Sequence, residues 1–259
     1  MYISAVIITK DEERNIKRCL VSLQGVVDEI IVVDSFSTDK TKSICEQYNV
    51  RFFQQEWQGY AKQKNYANSL ATYDIILSID ADEALSLELQ QSLIELKLKE
   101  NQNIVGQLNR LTNYCGQWIY HCGWYPDKKI RLFNRNYAKW EGFIHETVSY
   151  PKEASVIALH GNLFHYSYHS IEDHLKQINV FTTLTAAQAF EKREKHLLFS
   201  VMIISCWKFL RDYVFKGGFR DGYYGYVICR ISAFATFLKY IKLKQLYKQQ
   251  QGKNHDIYH

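Results

Sequence analysis

The fold class of this chain is indicated by one stretch, Ile75-Ile76-Leu77-Ser78-Ile79-Asp80-Ala81-Asp82-Glu83, in which a mostly apolar run ends in acids. The apolar run is typical of a strand that is buried on both faces of a parallel sheet. The acids then fall at the carboxyl end of that strand, where open α/β sheets bind their ligands.

The two aspartates of this stretch are candidate metal ligands. Around a tight turn Asp80 and Asp82 can converge on one ion. Two carboxylates without sulfur or imidazole nearby favour Mg²⁺ or Mn²⁺ over zinc, and such an ion commonly also holds phosphate. A nucleotide-linked substrate is therefore our first hypothesis, although an ordinary polar turn has the same short pattern.

The residues before this stretch predict alternating strands and helices. We expect strands at Ile3–Thr9, Glu29–Val33 and Arg51–Gln54. We expect helices at Glu13–Leu23, from Thr38 as N-cap to about Tyr48, and at Tyr60–Ala71, and the spacing of Leu89, Leu93 and Leu96 predicts one more. This order predicts a parallel sheet with helices on both faces.

Acids also follow the first two predicted strands. Asp11 lies just past the first and Asp34 ends the second, on the sheet edge that carries Asp80 and Asp82. A carboxylate at the end of the second strand suits a ribose hydroxyl or a base N–H. No Gly-x-Gly-x-x-Gly follows the first strand and the chain has no P-loop, which disfavours dinucleotide-binding enzymes and NTPases.

The composition is that of a folded chain. Its 259 residues are 47% hydrophobic with only two prolines, enough for one large domain or one domain with an appendage. The six cysteines form no C-x-x-C pair and no basic segment precedes the apolar start, which predicts reduced thiols in a cytoplasmic protein. Cys115, His121 and Cys122 match no zinc spacing.

Charge is distributed unevenly along the chain. Residues 1–100 carry 16 acids and 11 Lys or Arg, a balance of −5, whereas residues 195–250 carry 10 Lys or Arg and two acids, a balance of +8. The basic end is also rich in Tyr, Phe and Ile. This combination favours an anionic membrane surface over nucleic acid as its partner.

The last third of the chain is predicted to be helical. We expect a helix from Ser170 or Ile171 to about Lys195, with Leu175, Ile178 and Phe181–Thr182 towards one face. The apolar run Leu197–Trp207 is too short to span a bilayer, which needs roughly 20 residues. Apolar helices bordered by Lys, Arg, Trp and Tyr predict a segment lying in the membrane interface, while a helical hairpin packed on the sheet or on another subunit remains the alternative.

Five motifs, taken together, resemble a known family. They are Ile7–Ile16 (IITKDEERNI), Ile31–Thr41 (IVVDSFSTDKT), Trp57–Ala67 (WQGYAKQKNYA), Ser78–Glu83 (SIDADE) and Gly142–Glu146 (GFIHE), joined near the end by Gly217–Gly222 (GGFRDG). They resemble family 2 glycosyltransferases of the GT-A fold, in the bacterial lipopolysaccharide inner-core branch. The resemblance covers nearly the whole chain, and the ordered set is far more specific than any single motif.

The resemblance implies an inverting transfer of a sugar, a hexose in our expectation, from a nucleotide-diphosphate sugar to an acceptor hydroxyl. It places Thr9 and Glu12 near the base and ribose and Asp34 on the base. It places Lys64, where the family more often has Arg, towards the diphosphate. Asp80 is then expected near the ribose and the metal, Asp82 as the direct ligand of Mg²⁺ or Mn²⁺, and UDP as the commonest nucleotide of the family.

An inverting transfer also needs a base that takes the acceptor proton. Glu146 leads because His145-Glu146 is the motif of the family; Glu141 is the reserve, and Asp127 is a further candidate. In some relatives a later His completes the metal shell, and His165 is the candidate here. The aromatic segment Asn113–Tyr125 suits either acceptor binding or ordinary packing, because aromatic faces stack on sugars and on one another equally well.

The expected organisation is a GT-A catalytic domain at residues 1–169, with a donor-binding half at 1–100 and an acceptor and base half at 101–169, and a helical extension at 170–259. A glycolipid acceptor and a peripheral location on the cytoplasmic face of the inner membrane follow from this hypothesis, as part of cell-envelope biosynthesis.

The competing hypotheses are a haloacid-dehalogenase-like phosphatase using Asp80, which would want Thr or Val at the position of Ala84, and a non-catalytic membrane-docked binding protein. A sugar nucleotidyltransferase is disfavoured because Lys10–Asn15 is acidic and lacks glycine. The oligomeric state is left open.

Overall fold

A computed structural model describes residues 1–99, 104–142, 146–194 and 198–256 of the chain. The described residues form two compact units. The first unit contains Met1–Thr112 and Pro126–Ser167, and the second contains Asn113–Tyr125 and the residues from Tyr168 onward. The expected acceptor and base half, 101–169, is thus divided between the two units.

The first unit is an α/β structure. Its strands are β1 (Ile3–Thr9), β2 (Glu29–Asp34), β3 (Arg51–Gln54), β4 (Ile75–Asp80), β5 (Glu83–Leu85), β6 (Ile104–Tyr114, whose end enters the second unit), β8 (Asp127–Asn134), β9 (Lys139–Glu141), β10 (Thr147–Ser149) and β11 (Ser155–Tyr168). Its helices are α1 (Ile16–Leu23), α2 (Thr41–Cys45), α3 (Tyr60–Ser69) and α4 (Leu87–Lys97). The short strand β7 (Gln117–Trp118) pairs with the end of β6.

The main sheet is mixed. Its strand order is β3-β2-β1-β4-β8-β6-β11-β5, with β3, β2, β1 and β4 parallel and β8 antiparallel to both β4 and β6. The remaining strands β9 and β10 form a separate hairpin. The predicted mixed α/β architecture is confirmed, and β4 lies where the parallel half meets the antiparallel half.

Alternation along β1 places a hydrophobic core on each face of the sheet. Ile3, Ala5 and Ile7 pack with α1 and α4, while Val6 and Ile8 pack towards α3 and the β9–β10 hairpin. Successive side chains of a strand point to opposite faces, so a strand buried on both faces must be apolar throughout. Leu89, Leu93 and Leu96 are buried on α4, as predicted.

The predicted N-cap at Thr38 is wrong. Helix α2 begins at Thr41 and has no side-chain cap. Both the backbone N–H and the hydroxyl of Thr38 donate to Asp11 Oδ1, at 2.7 and 3.2 Å, because this loop packs against the loop after β1. The start of α1 is also later than predicted, at Ile16 rather than Glu13.

The second unit is mainly helical. It contains α5 (Ile171–Glu191), α6 (Leu198–Leu210), a π-helical segment (Arg211–Phe215), a 3₁₀ turn (Gly218–Asp221) and α7 (Gly222–Asp256). Ser170 caps α5 by accepting a hydrogen bond from the N–H of Asp173 at 3.1 Å. The predicted end of α5 near Lys195 lies outside the described residues; the helix ends at Glu191. No helix in the described part of the chain is both long and apolar enough to cross a membrane.

The predicted buried face of α5 is partly wrong. Ile178 and Thr182 are buried, but Leu175 and Phe181 are exposed. The buried stripe instead continues through His174, Ala186 and Ala189. The reason lies in the partner helix: α7 approaches α5 closely, with Leu243 packed on Ala186 and Ala189, and small side chains permit that approach.

Candidate active site at the end of strand β4

The acidic stretch lies where β4 ends and β5 begins. Asp80 is the last residue of β4, and Asp82 lies in the turn before Glu83 opens β5. The carbonyl of Asp82 accepts a hydrogen bond from the N–H of Tyr166 at 2.8 Å, which ties this turn to β11. Both carboxylates remain partly exposed, so a ligand can reach them.

The carboxylate of Asp80 is bracketed by two buried cations. Lys64 Nζ lies 2.9 Å from Oδ1, and Arg131 Nη2 lies 2.7 Å from Oδ2. Burial raises the pKa of Asp80, but the charges of Arg131 and Lys64 outweigh it and lower that pKa below its usual range. Asp80 is therefore ionised and held in one orientation.

Arg131 and Glu83 form the buried base of this site. Arg131 Nη2 lies 2.7 Å from Glu83 Oε1, and Glu83 Oε2 accepts the N–H of Asp80 at 3.0 Å. The side chain of Arg131 is 4% exposed and that of Glu83 is fully buried. Neither residue is among the site residues predicted from the sequence. The available signal was an arginine inside the apolar run of β8, since a charge in a buried strand needs a partner.

Lys64 links the metal motif to the candidate base. Its Nζ lies 3.3 Å from Glu146 Oε1 as well as 2.9 Å from Asp80. The side chain is 3% exposed, and its ammonium lies 4.4 Å from the centre of the Trp140 ring. A cation so desolvated strengthens its interaction with any nearby anion, whether a carboxylate or a phosphate.

Asp82 pairs with His165. The distance from Asp82 Oδ2 to His165 Nε2 is 3.2 Å, and His165 Nδ1 lies 3.5 Å from Thr112 Oγ1. His165 reaches this position because β11 pairs with β5, opposite Glu83. Burial raises the pKa of Asp82, but the charge and hydrogen bond of His165 outweigh this effect and lower that pKa below its usual value.

The expected metal fits this pair better than it fits Asp80. Asp82 and His165 bring one carboxylate and one imidazole together. The prediction of Mg²⁺ or Mn²⁺ over zinc assumed that no imidazole lay nearby; because imidazole also suits zinc, that preference no longer follows from the donor set and stays a prediction. Both oxygens of Asp80 are already paired with cations. Within the described residues no cluster of three or more His, Cys, Asp or Glu side chains forms a metal site.

The expected nucleotide-binding residues lie in the same unit. Thr9 ends β1, and its buried hydroxyl has no hydrogen-bond partner among the described residues. Glu12 lies in the following loop, where burial and then repulsion from Asp82, Asp39 and Asp80 outweigh a hydrogen bond from Asn15 and raise its pKa to about 7. An unsatisfied hydroxyl and a carboxyl group that is partly protonated near neutral pH can both hydrogen-bond a hydroxyl or N–H of a sugar or base.

Asp34, the last residue of β2, is fully buried and is hydrogen-bonded by the loop that follows it. It accepts hydrogen bonds from the N–H of Ser37 at 2.8 Å and from the Ser37 hydroxyl, and Gln54 Nε2 lies 3.4 Å away. The loops after β1 and β2 also interlock, since the N–H of Glu13 donates to Asp39. The predicted contact of Asp34 with a base stays a prediction.

The other two candidate bases, Glu141 and Asp127, form ion pairs with residues other than Lys64. Glu141 is exposed at the end of β9 and pairs with Lys139 at 3.1 Å. Asp127 pairs with Arg110 at 2.7 Å and with Lys129 at 3.1 Å. His145 lies outside the described residues. Of the three candidate bases, Glu146 is the one that the structure joins to Lys64.

The aromatic segment Asn113–Tyr125 belongs to the second unit. Tyr114 is fully buried at the centre of a ring cluster with Trp124, Tyr168, His174 and Tyr224. Trp124 therefore packs in a core, whereas Tyr120 is exposed. A role of this segment in acceptor binding stays a prediction.

The Gly217–Gly222 motif connects the aromatic segment Asn113–Tyr125 to the start of α7 through hydrogen bonds of Asp221. The carboxylate of Asp221 lies 2.8 Å from His121 Nδ1 and accepts the N–H of His121 at 2.8 Å. A Cβ at Gly225 would overlap the carbonyl oxygen of Gly218, so these two backbones can approach only without a side chain. The motif is thus structural within this unit.

Several known proteins similar to this chain are named as glycosyltransferases. Residues 4–155 match the model of the family described as glycosyl transferase family 2. An uncharacterized glycosyltransferase of Rickettsia typhi is 34% identical over 254 residues, covering 94% of this chain and 87% of its own length. The lipopolysaccharide core biosynthesis glycosyltransferase LpsC of Rhizobium meliloti is 27% identical over 266 residues, covering 98% and 96% of the two chains.

Among solved structures, TarS 1-349 of S. aureus is similar at 16% identity and a TM-score of 0.44, covering 96% of this chain and 92% of that one. The family model covers β1–β4, the Asp80–Asp82 turn and Glu146, which belong to the site described above, whereas His165 lies beyond its last matched residue. The chain therefore belongs to glycosyl transferase family 2.

Proposed function

We propose that this glycosyltransferase moves a sugar, with inversion, from a nucleotide-diphosphate sugar to a glycolipid acceptor such as a lipopolysaccharide core precursor. The observation that carries the proposal is the chain of contacts Glu146–Lys64–Asp80 beside the Asp82–His165 pair. The name of the Rhizobium relative supports the acceptor class. Family membership replaces the phosphatase and the non-catalytic binding protein as interpretations of this chain.

Asp82 and His165 would hold a divalent metal, and their contact at 3.2 Å supports a shared ligand. When bound, Mg²⁺ or Mn²⁺ supplies positive charge to the leaving diphosphate. Thr112, beside His165 Nδ1, would orient the imidazole, as outer groups commonly do for metal-binding histidines. Asp80 would act next to this site through its fixed, ionised carboxylate.

Glu146 would take the proton of the acceptor hydroxyl. Its Oε1 lies 3.3 Å from Lys64 Nζ, which places it in the same cluster as Asp80, and a positioned carboxylate is a common general base. In the free enzyme, Lys64 would hold the carboxylates of Asp80 and Glu146 at a fixed distance from each other. With the donor bound, its ammonium would lie near the diphosphate. Thr9 and Glu12 would contact the nucleoside, since Thr9 has an unsatisfied hydroxyl and Glu12, with a pKa of about 7, is partly protonated near neutral pH.

The donor is tested by thermal shift with UDP-, GDP- and ADP-sugars, each with and without Mn²⁺. A ligand present at a hundred times its Kd stabilises the folded state by about 2.7 kcal/mol. We expect one donor, UDP-linked, to stabilise the wild type only with metal, and Asp82→Asn and His165→Gln to abolish that shift. Asp74→Asn, an exposed acid at the other end of β4, is the matched control.

The acceptor and location are tested separately. We expect sugar transfer from the stabilising donor to a lipid-linked core acceptor, and a peripheral location on the cytoplasmic face of the inner membrane in fractionated cells. If no nucleotide-sugar stabilises the wild type with or without metal, the proposed donor site is wrong. If the donor binds but only water accepts the sugar in the presence of glycolipid, the acceptor class is wrong.

A further inference from the structure

Helix α6 presents an apolar stripe to solvent. Ile203, Trp207, Leu210 and Val214 recur at steps of four, three and four residues, the spacing of one helical face that continues into the π-helical segment. All four side chains are exposed, with relative exposures between 43% and 53%. A soluble helix ordinarily turns such a stripe towards the core.

The packing of the second unit uses a different face of α6. Val201 is buried, and the Phe209 ring stacks on Tyr213 at 5.2 Å between centroids and meets Tyr226 at 5.9 Å. The buried and exposed faces are therefore both apolar. Among the described residues of this unit, no side chain covers the exposed face.

Exposed aromatic residues extend this stripe beyond the helix. Phe215 is 69% exposed and its ring lies 5.8 Å from that of Trp207. Phe219 and Tyr223 follow on the next turns of the chain and are also more than half exposed. We call Ile203, Trp207, Leu210, Val214 and Phe215 the α6 face. Contiguous exposed apolar surface of this kind marks an interaction site rather than scattered surface residues.

Cations border the α6 face. Lys208, Arg211 and Lys216 surround the buried carboxylate of Asp212, at 2.5, 2.9 and 3.6 Å. Three cations share one acid, so the border carries a net positive charge. The amines and guanidinium remain partly exposed beside the apolar side chains and can reach an anionic surface.

We propose that the α6 face inserts into the headgroup region of an anionic phospholipid bilayer. The apolar side chains would enter the acyl boundary, while Lys208, Arg211 and Lys216 would meet lipid phosphates. Trp and Tyr side chains favour this interface because they are apolar with one polar atom. The inference rests on the proposed function in one respect: it names the surface at which a glycolipid acceptor would be met.

Charge favours a membrane over a second copy of the chain as the occupant. A symmetric dimer on this face would bring the cations of both copies into one interface, because a two-fold contact uses the same patch on each copy. Those like charges would repel, and the single acid Asp212 is already buried by its own neighbours. An anionic bilayer instead complements both the apolar stripe and its border.

The experiment is sedimentation of the full chain with vesicles of phosphatidylcholine, with and without phosphatidylglycerol, at low and high salt. We expect binding only with the anionic lipid, and weaker binding at high salt. Trp207→Glu/Phe215→Glu should lower the partition coefficient by about tenfold or more, since it removes two apolar anchors and adds repulsion. The matched control is Leu87→Glu/Leu98→Glu, which changes two apolar residues of the first unit that are even more exposed than Trp207 and Phe215.

Folding and function are read out beside binding. Circular dichroism and thermal unfolding should be the same for both double variants. Equal vesicle binding by Trp207→Glu/Phe215→Glu and wild type overturns the inference, as does a wild type that ignores anionic vesicles. The inference is also overturned if light scattering shows that the wild type is a dimer and that Trp207→Glu/Phe215→Glu is a monomer. Failure of the proposed function is distinguishable, because it appears as an absent nucleotide-sugar shift while vesicle binding persists.

Discussion

The end of β4 and the α6 face distribute charge and apolar surface in opposite ways. At β4, Lys64, Arg131 and Glu83 lie buried beneath two partly exposed aspartates. On the α6 face, tryptophan and phenylalanine lie outside while a carboxylate, Asp212, is buried. Each region reverses the usual rule that charges face water and apolar side chains face the core.

The reversal indicates function in both places, for different reasons. Burying a charge costs free energy, so buried ion pairs persist where a fixed field is needed, as in a site that binds and stabilises anions. Exposing apolar surface also costs free energy and persists where a partner covers that surface. The first unit therefore has the features of a reaction site and the second those of a docking surface.

The largest expected effect comes from Glu146. We expect Glu146→Gln to lower kcat by about 10²–10⁴-fold, the usual contribution of a general base, while donor binding by thermal shift is retained. The measurement is steady-state sugar transfer. Glu141→Gln removes an exposed acid paired with Lys139 and serves as control, with transfer close to wild type.

A Glu146→Gln variant that transfers sugar at the wild-type rate would reject Glu146 as the base. If Glu141→Gln showed the large loss instead, the reserve candidate would take its place. Either result would also weaken the contrast between the two regions, because the Lys64–Glu146 pair would then have only a structural role.

The next effect is on stability and comes from the buried pair beneath Asp80. We expect Arg131→Met to lower the free energy of unfolding by about 3 kcal/mol, because it removes the closer cation of the buried Glu83 and leaves Arg110, whose Nη1 lies 3.6 Å from Glu83 Oε1. Urea denaturation measures the change. The double variant Arg131→Met/Glu83→Gln should recover part of the loss, since the remaining buried side chain is neutral. A loss below about 1 kcal/mol, typical of an exposed pair, would contradict this account.

A smaller effect depends on pH and on Glu12. Its pKa is raised from 4.5 to about 7 by burial and by nearby carboxylates, so the folded protein binds a proton that the unfolded chain has lost. Stability should therefore fall as pH rises from about 4.5 to about 7. Glu12→Gln should remove this slope and make the protein more stable than wild type at pH 8, by about 1–3 kcal/mol.

Urea denaturation from pH 4 to 8 measures this dependence. The control is Glu46→Gln. Because Glu46 is exposed, this variant should keep the wild-type dependence of stability on pH. A Glu12→Gln variant that loses stability with rising pH as steeply as wild type would show that another group is responsible.

The smallest effect concerns the α6 face. We expect Phe215→Ser to change the free energy of unfolding by less than about 0.5 kcal/mol, because its side chain already faces water. Phe133→Ala, a fully buried phenylalanine of β8, should cost about 3–5 kcal/mol in the same assay. A large loss from Phe215→Ser would mean that the residue packs in the fold, and the contrast between the two regions would fail.

The strands and helices around the acidic turn could be predicted because their signals are local. Ile3–Thr9 and Arg51–Gln54 have the predicted bounds, and Asp80 and Asp82 lie at the predicted edge of the sheet. Local propensity failed at Thr38, whose hydroxyl bonds Asp11 in another loop instead of capping a helix. It failed again at Leu175, where the partner helix and not the hydrophobic pattern selected the buried face of α5.

The alternating strands and helices up to α4, the family and the acids of the site could be recognised in the sequence, because hydrophobic period and short motifs are properties of neighbouring residues. The strands after α4 and the charge pairs could not: Lys64 meets Glu146, Arg131 meets Glu83, and Asp82 meets His165 through the fold. Likewise, only the packing decided that the stripe of α6 faces outward. These pairings depend on strand order and on which helix face is covered, and the residues involved are brought together by the fold from distant parts of the chain.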